Sequence, residues 1–196
     1  MATSRWEALP FVIETLLHIN PKTVLDVGVG FGKIGLLIRE YLEDMQGRTN
    51  PKQWQIVIHG IEIYEPYHRD SFQNIIYNEI VYNNALNIDD ILYNTIYHFK
   101  TDTQSNYDLL TCFDCVEHNK KDDAIILLNK FKKYAKKILI SIPIGDNWYY
   151  IYKGENIHEN HLSDFTEKDL NDIGYKTLLI YNVPNNRKMG IFGINI

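Results

Sequence analysis

Cysteine is nearly missing from this chain: Cys112 and Cys115 are the only two in 196 residues. Two cannot build a disulfide framework, which excludes a small cross-linked secreted scaffold. Long apolar runs are missing too, since no stretch reaches the roughly eighteen uninterrupted apolar residues of a membrane span. The start, MATSRWEALPFVIETLLHI, lacks the basic region, long apolar core and small-residue cleavage site of a secretory signal. A cytoplasmic location away from any membrane is the expectation. Positive charge is in deficit, with 20 Lys and Arg against 25 Asp and Glu and a net charge of −5. A sequence-independent grip on nucleic acid needs a basic stripe. The one basic cluster, KFKKYAKK (Lys130 to Lys137), reads as the wet face of a helix, because Phe131, Tyr134, Ala135 and Ile138 recur at helical spacing within it. No nucleic-acid partner is expected. Linkers, internal repeats and low-complexity segments are absent as well, so residues 1–196 read as one domain.

What is present is alternation. After an N-terminal helix at about Arg5 to His18, KTVLDVG is a short buried strand and FGKIGLLIREYLEDM a helix with Ile34, Leu37, Ile38 and Leu42 on one face. A polar loop with Pro51 leads to the strand WQIVIHGIEI, then to the helix PYHRDSFQNIIYNE and the strand IVYNNA. NIDDILYNTIYHF is a helix, YDLLTCFD a strand, KKDDAIILLNKFKKYA a helix and KKILISIPI a strand. Apolar strands alternating with helices predict a parallel sheet covered on both faces. TEKDLNDIG is a short helix with Thr166 as N-cap and Asp169 at the capping-box position. YKTLLIYNV and GIFGINI, joined by PNNRKMG, read as a hairpin. The expected fold is α/β, a doubly wound, mostly parallel seven-stranded sheet ending in an antiparallel hairpin.

Gly28, Gly30 and Gly32 follow the first strand and open the next helix. In such a sheet, ligands sit beyond the carboxyl ends of the strands where the strand order reverses. A P-loop is excluded, because Val27 stands at its first glycine and Ile34 replaces the hydroxyl that would hold Mg²⁺. A dinucleotide G-x-G-x-x-G would need glycine at Lys33. What stands here is D-x-G-x-G-x-G, beginning at Asp26. It resembles motif I of class I S-adenosylmethionine-dependent methyltransferases. A dinucleotide brings an anion to the helix N-terminus, whereas S-adenosylmethionine carries an ammonium and a sulfonium, which an aspartate suits.

The resemblance extends in order from Lys22 to the C-terminus. Glu62, at the end of the second strand in GIEIYEPY, is placed to bond both ribose hydroxyls; Glu65, beside Pro66, better suits a helix cap. Asn84, Ala85 and Leu86 in YNNALNI match the positions that flank adenine, with Asn84 where aspartate is common. YDLLTCFDCVEH is similar to motif IV, which implies that Asp114, Glu117 and His118 border the methyl-transfer site. The resemblance therefore implies S-adenosyl-L-methionine as cofactor, bound through Asp26, Gly28, Gly30, Gly32, Glu62, Asn84, Ala85 and Asp114.

CFDCVEH is also C-x₂-C-x₂-H, and HENH supplies His158 and His161, so a zinc site of Cys112, Cys115, His118 and a later histidine can be drawn. Cys112 lies within a strand, where residues three apart point to opposite faces, and the expectation is no metal. The aromatic stretch DNWYYIYKGENIHENH and the segment to residue 165 are expected on the acceptor side, and the N-terminal helix within residues 1–20 is read as a lid, with Trp6 and Phe11 closing the pocket; covering the sheet is the alternative. His118 and Glu117 are the candidates for acid–base work, with His158 and His161 as alternatives. DCVE at the fourth strand departs from the [DN]-P-P-[YFW] of amino-methylating nucleic-acid enzymes and from the Pro-Cys of C5-cytosine enzymes. A small or medium-sized acceptor with oxygen or nitrogen is expected. The other readings are a non-catalytic cofactor-binding module and a nicotinamide-dependent oxidoreductase. Gly28→Val is expected to abolish cofactor binding while leaving the fold intact.

Overall fold

The computed structural model describes residues 5–68, 72–94, 106–146, 148 and 150–196. A one-turn 3-10 helix, Trp6–Ala8, leads into α1 (Leu9–Ile19). Then come β1 (Thr23–Val27), α2 (Lys33–Leu42), β2 (Val57–Glu62), α3 (Gln73–Ile76), β3 (Glu79–Tyr82), α4 (Ile88–Asn94) and β4 (Tyr107–Phe113). The chain closes with α5 (Lys121–Tyr134), β5 (Ala135–Ile144), α6 (Glu167–Asp172), β6 (Lys176–Val183) and β7 (Arg187–Ile194). The seven strands form one sheet in the order β3-β2-β1-β4-β5-β7-β6. β1 to β5 are parallel; β7 runs antiparallel to both β5 and β6. This is the doubly wound sheet with a terminal hairpin that the alternating pattern predicts.

Burial explains the strand composition. Four of the five β1 residues and six of the seven β4 residues are buried, as expected where helices cover both faces. One face packs on α4, α5 and α6 through Ile88, Leu127, Phe131 and Leu170. The other packs on α1, α2 and α3 through Val12, Leu16, Ile34, Ile38 and Ile76. The four expected α2 residues, Ile34, Leu37, Ile38 and Leu42, are all buried on that face. At the C-terminal end of α2, Arg39 Nη1 donates to the Ile56 carbonyl at 2.6 Å and Glu43 Oε1 accepts from Gln55 and Ile56 N–H groups. That network ties α2 to the start of β2 through the segment read only as a polar loop.

Thr166 and Asp169 form the expected capping box on α6. The β6–β7 turn uses Asn185 and Asn186 at φ of 67° and 55°, a left-handed conformation that asparagine tolerates.

The helix expected over PYHRDSFQNIIYNE is corrected by the structure. Glu65–Tyr67 is a single 3-10 turn and α3 spans only Gln73–Ile76, with residues 69–71 outside the described set. Pro66 sits in the first turn, and Gln73 and Tyr77 are drawn inward by partners 43 and 51 positions away. Those long-range bonds outweigh local helical preference. The later part of the helix expected over NIDDILYNTIYHF, residues 95–99, lies outside the described residues.

α1 covers the sheet through Val12 and Leu16. Phe11 packs against the α1/α2 face of the core and Trp6 is 72% exposed.

Candidate active site

Strand order reverses between β1 and β4, and a cavity of about 310 Å³ opens there at the carboxyl ends of β1 to β4. Gly28, Gly30, Glu62, Asn84, Ala85, Asp114, His118 and His158 line it. Asp26, Gly32, Glu117 and His161 stand behind its wall. Four acids on the wall, Glu62, Asp114, Asp123 and Glu159, face two lysines, Lys33 and Lys120.

The glycine turn is shaped by protein as well as by the cavity. Gly28 has φ +79°, and a Cβ there would lie 2.9 Å from both Cβ and Sγ of Cys115. Thus the ends of β1 and β4 approach too closely for a side chain at position 28. Gly32 caps α2 at φ +86°, a left-handed conformation that costs little without Cβ. Glu62 reaches across from the end of β2: Oε2 accepts the Gly30 N–H at 2.8 Å and Oε1 the Tyr64 N–H at 2.9 Å. Burial raises the Glu62 pKa, opposed by those backbone donors.

Asp26 lies one layer below the cavity, 2% exposed. Its Oδ2 accepts from Tyr77 Oη at 2.6 Å and its Oδ1 from Thr111 Oγ1 at 2.8 Å. Both oxygens are therefore engaged within the protein, and the aspartate orders the floor under the glycine turn. Burial pushes its pKa up to about 6, against the two hydroxyl donors. Gln73 Nε2 donates to the Gly30 carbonyl at 2.7 Å, fixing the turn from the α3 side.

At the end of β3, Asn84 Oδ1 accepts the Leu86 N–H at 2.9 Å, capping a short turn at Ala85–Asn87. Past β4, Asp114 has φ +51° and accepts from Ser141 Oγ at 2.7 Å. Burial raises its pKa, with Ser141 opposing; burial lowers that of Lys33 nearby. The segment from Asn156 to Leu162 forms the opposite wall, contributing Asn156, His158, Glu159 and Leu162. Tyr67 spans the two sides. Its hydroxyl donates to Glu159 Oε1 at 2.8 Å and accepts from Asn156 Nδ2 at 3.0 Å.

His118 is held between the strands and this segment, with Nδ1 3.0 Å from the Asn160 carbonyl and Nε2 3.2 Å from the Asp114 carbonyl. Glu117 is buried behind it, and its carbonyl accepts the Leu162 N–H at 2.9 Å. Burial raises the Glu117 pKa well above the usual carboxylate range, with Asp114 adding to the effect. His161 is pushed down to about 4, first by burial and then by His118. The zinc set with two cysteines does not gather. Among the described residues, the one group of three or more His, Cys, Asp or Glu ligand atoms is Glu117, His118 and His161. Cys112 is instead part of the core under α5.

Sequence reasoning did not single out Tyr67 on the wall or Tyr77 and Thr111 below it, and it held Asn156 and Glu159 only as part of the stretch expected on the acceptor side, which does line the cavity. Their roles arise from contacts 51 to 92 positions apart, and no local pattern marks them. Trp6 and Phe11 do not line the cavity.

No protein-family model matches the chain, and no curated protein does. Solved structures do. The chain is similar to magnesium protoporphyrin IX methyltransferase from Synechocystis, crystallised with S-adenosylhomocysteine (TM-score 0.58, 13% identity, 95% of this chain and 81% of that one). It is similar to TehB from Haemophilus influenzae (0.60, 15%, 94% and 60%). It is also similar to the methyltransferase domain of a bacterial Hen1 (0.54, 16%, 96% and 98%). The fold is that of the class I S-adenosylmethionine-dependent methyltransferases.

Proposed function

We propose that this chain is an S-adenosylmethionine-dependent methyltransferase acting on oxygen or nitrogen of a small or medium-sized acceptor. The observation that carries this reading is the Gly30–Glu62 bond. The Gly30 N–H is one of the donors that a pyrophosphate would use at such a turn, and here a carboxylate takes it. An acid at that point repels phosphate and suits a cationic ligand with ribose hydroxyls. The acidic balance of the wall supports the same choice over a nicotinamide cofactor.

When bound, S-adenosylmethionine supplies a methyl group already activated by its sulfonium. The chain's own work is then alignment, which is worth about 7–11 kcal/mol in favourable cases. Gly28 and Gly30 allow close approach at one end, Glu62 serves the ribose, and Asn84 with Ala85 flanks the adenine. Asp114 and the Asn156–Leu162 wall border the acceptor. A phenolate or carboxylate acceptor needs no proton removed; an alcohol does, and a positioned base then adds about 10²–10⁴-fold. Of the four candidates, His118 and His158 reach the wall. His118 has both ring nitrogens facing carbonyls, so His158 is assigned the proton.

The test is transfer of labelled methyl to a panel of phenols, alcohols, carboxylic acids and amines. Label in one acceptor class supports the reading. Cofactor binding with no transfer to any class favours the non-catalytic module.

A further inference from the structure

The side chains behind the cavity wall form a group of polar atoms that the protein itself leaves unsatisfied. Glu117, His118 and His161 each present a ligand atom within 4.8 Å of the others. Glu117 is 1% exposed, and neither of its carboxylate oxygens has a hydrogen-bond partner. His161 Nδ1 is also buried without a partner. The His118 nitrogens face two carbonyl oxygens, yet a neutral imidazole donates only one proton. In the neutral ring, one lone pair is therefore left without a donor.

A buried carboxylate without a donor does not persist as a bare anion; it takes a proton or a cation. A proton on Glu117 would leave the second oxygen, the His161 nitrogen and the His118 lone pair as they are. One cation satisfies all of them. The rings are also held in place for it. His161 stacks on Trp148 with centroids 6.1 Å apart at 14°, and meets His118 edge-on at 4.8 Å. The remaining His118 nitrogen keeps a backbone carbonyl, the usual orienting partner of a metal-bound histidine.

We propose that Glu117, His118 and His161 bind one divalent first-row transition-metal ion at the inner wall of the cavity. Two imidazoles and one carboxylate suit Mn²⁺, Fe²⁺, Co²⁺ or Zn²⁺ better than Mg²⁺ or Ca²⁺. Donors about 2.1 Å from a common ion stand about 3–4 Å apart, so a small closing movement assembles the site. Three protein ligands leave a position open, and His118, shared with the cavity wall, places it beside the acceptor. This replaces the sequence-based expectation of no metal, and uses neither cysteine.

The ion's role rests on the methyl-transfer reading; its binding does not. An acceptor hydroxyl bound to the ion becomes more acidic and gives its proton to His158. Its oxygen pair then forms the bond to the methyl carbon, and the carbon–sulfur pair stays on sulfur.

The experiment titrates the chelator-stripped, tag-free full chain with Co²⁺, followed by visible absorption. Binding of S-adenosylhomocysteine is measured in parallel by calorimetry. Expected is a cobalt absorption that saturates at one equivalent in the wild type and is lost in both Glu117→Gln and His161→Ala, with circular dichroism unchanged. If Glu117→Gln does not fold, His161→Asn carries the same comparison. No saturable absorption, or an undiminished signal in the folded variants, overturns the site. Cobalt bound without S-adenosylhomocysteine supports the metal site and overturns the methyltransferase reading; the reverse overturns the metal site alone.

Discussion

Gly30 donates its N–H to Oε2 of Glu62 at 2.8 Å, a contact between residues 32 positions apart that joins the turn after β1 to the end of β2. It places a carboxylate oxygen on a backbone donor of the glycine turn, at the point where a phosphate would otherwise find that donor.

Glu62→Gln keeps the shape and removes the charge. Hydrogen bonds to a charged group contribute about 1.5–3 kcal/mol, so affinity for S-adenosylhomocysteine is expected to fall about 10- to 100-fold. Thermal stability at neutral pH is expected to fall as well, because both carboxylate oxygens accept backbone N–H groups and an amide can accept at only one end. Equilibrium dialysis and a melting curve check both parts.

Asp26 sets a pH dependence. Its pKa is about 6 folded and 3.8 in the reference state, so the folded protein binds the proton more tightly. The stability this adds is full below pH 3.8 and is lost as pH rises through about 6, a change of about 3 kcal/mol at most. Asp26→Asn removes the cost of ionisation. Relative to wild type, the variant is expected to melt higher at pH 8 than at pH 4. An equal difference at both pH values would contradict the assignment.

Gly28→Ala tests the close approach to Cys115. A left-handed φ in a residue with Cβ costs about 1–3 kcal/mol, and the 2.9 Å contact adds to it. Denaturant unfolding is expected to show that loss, with part of it recovered in Gly28→Ala/Cys115→Ala. The expectation that Gly28→Val leaves the fold intact is withdrawn on the same geometry.

Tyr67→Phe removes the hydroxyl that joins Glu159 and Asn156 across the cavity. Amide hydrogen exchange at residues 156–160 is expected to quicken, while affinity for S-adenosylhomocysteine changes less than threefold. Exchange unchanged in that segment would show that the hydroxyl holds nothing closed.

The strands and the glycine turn were legible because burial on both faces imposes apolar runs, and the period switches from two to 3.6 at Lys33. Glu62, read from its strand end, and Asn84 and Asp114, named through the resemblance, all line the cavity. Asp26 was read as facing the ligand, but its depth depends on Tyr77 and Thr111, which reach it from other elements. α3 was read too long for the same reason: Gln73 and Tyr77 answer to distant partners rather than to helical period. The convergence of Glu117 and His118 with His161 follows from the Leu162–Glu117 backbone bond, which spacing alone does not reveal.

The most direct measurement is calorimetric titration of the purified chain with S-adenosylmethionine, S-adenosylhomocysteine and NADH in parallel. The account predicts one site for each of the first two and none for NADH. Binding of NADH without either of the others would contradict it.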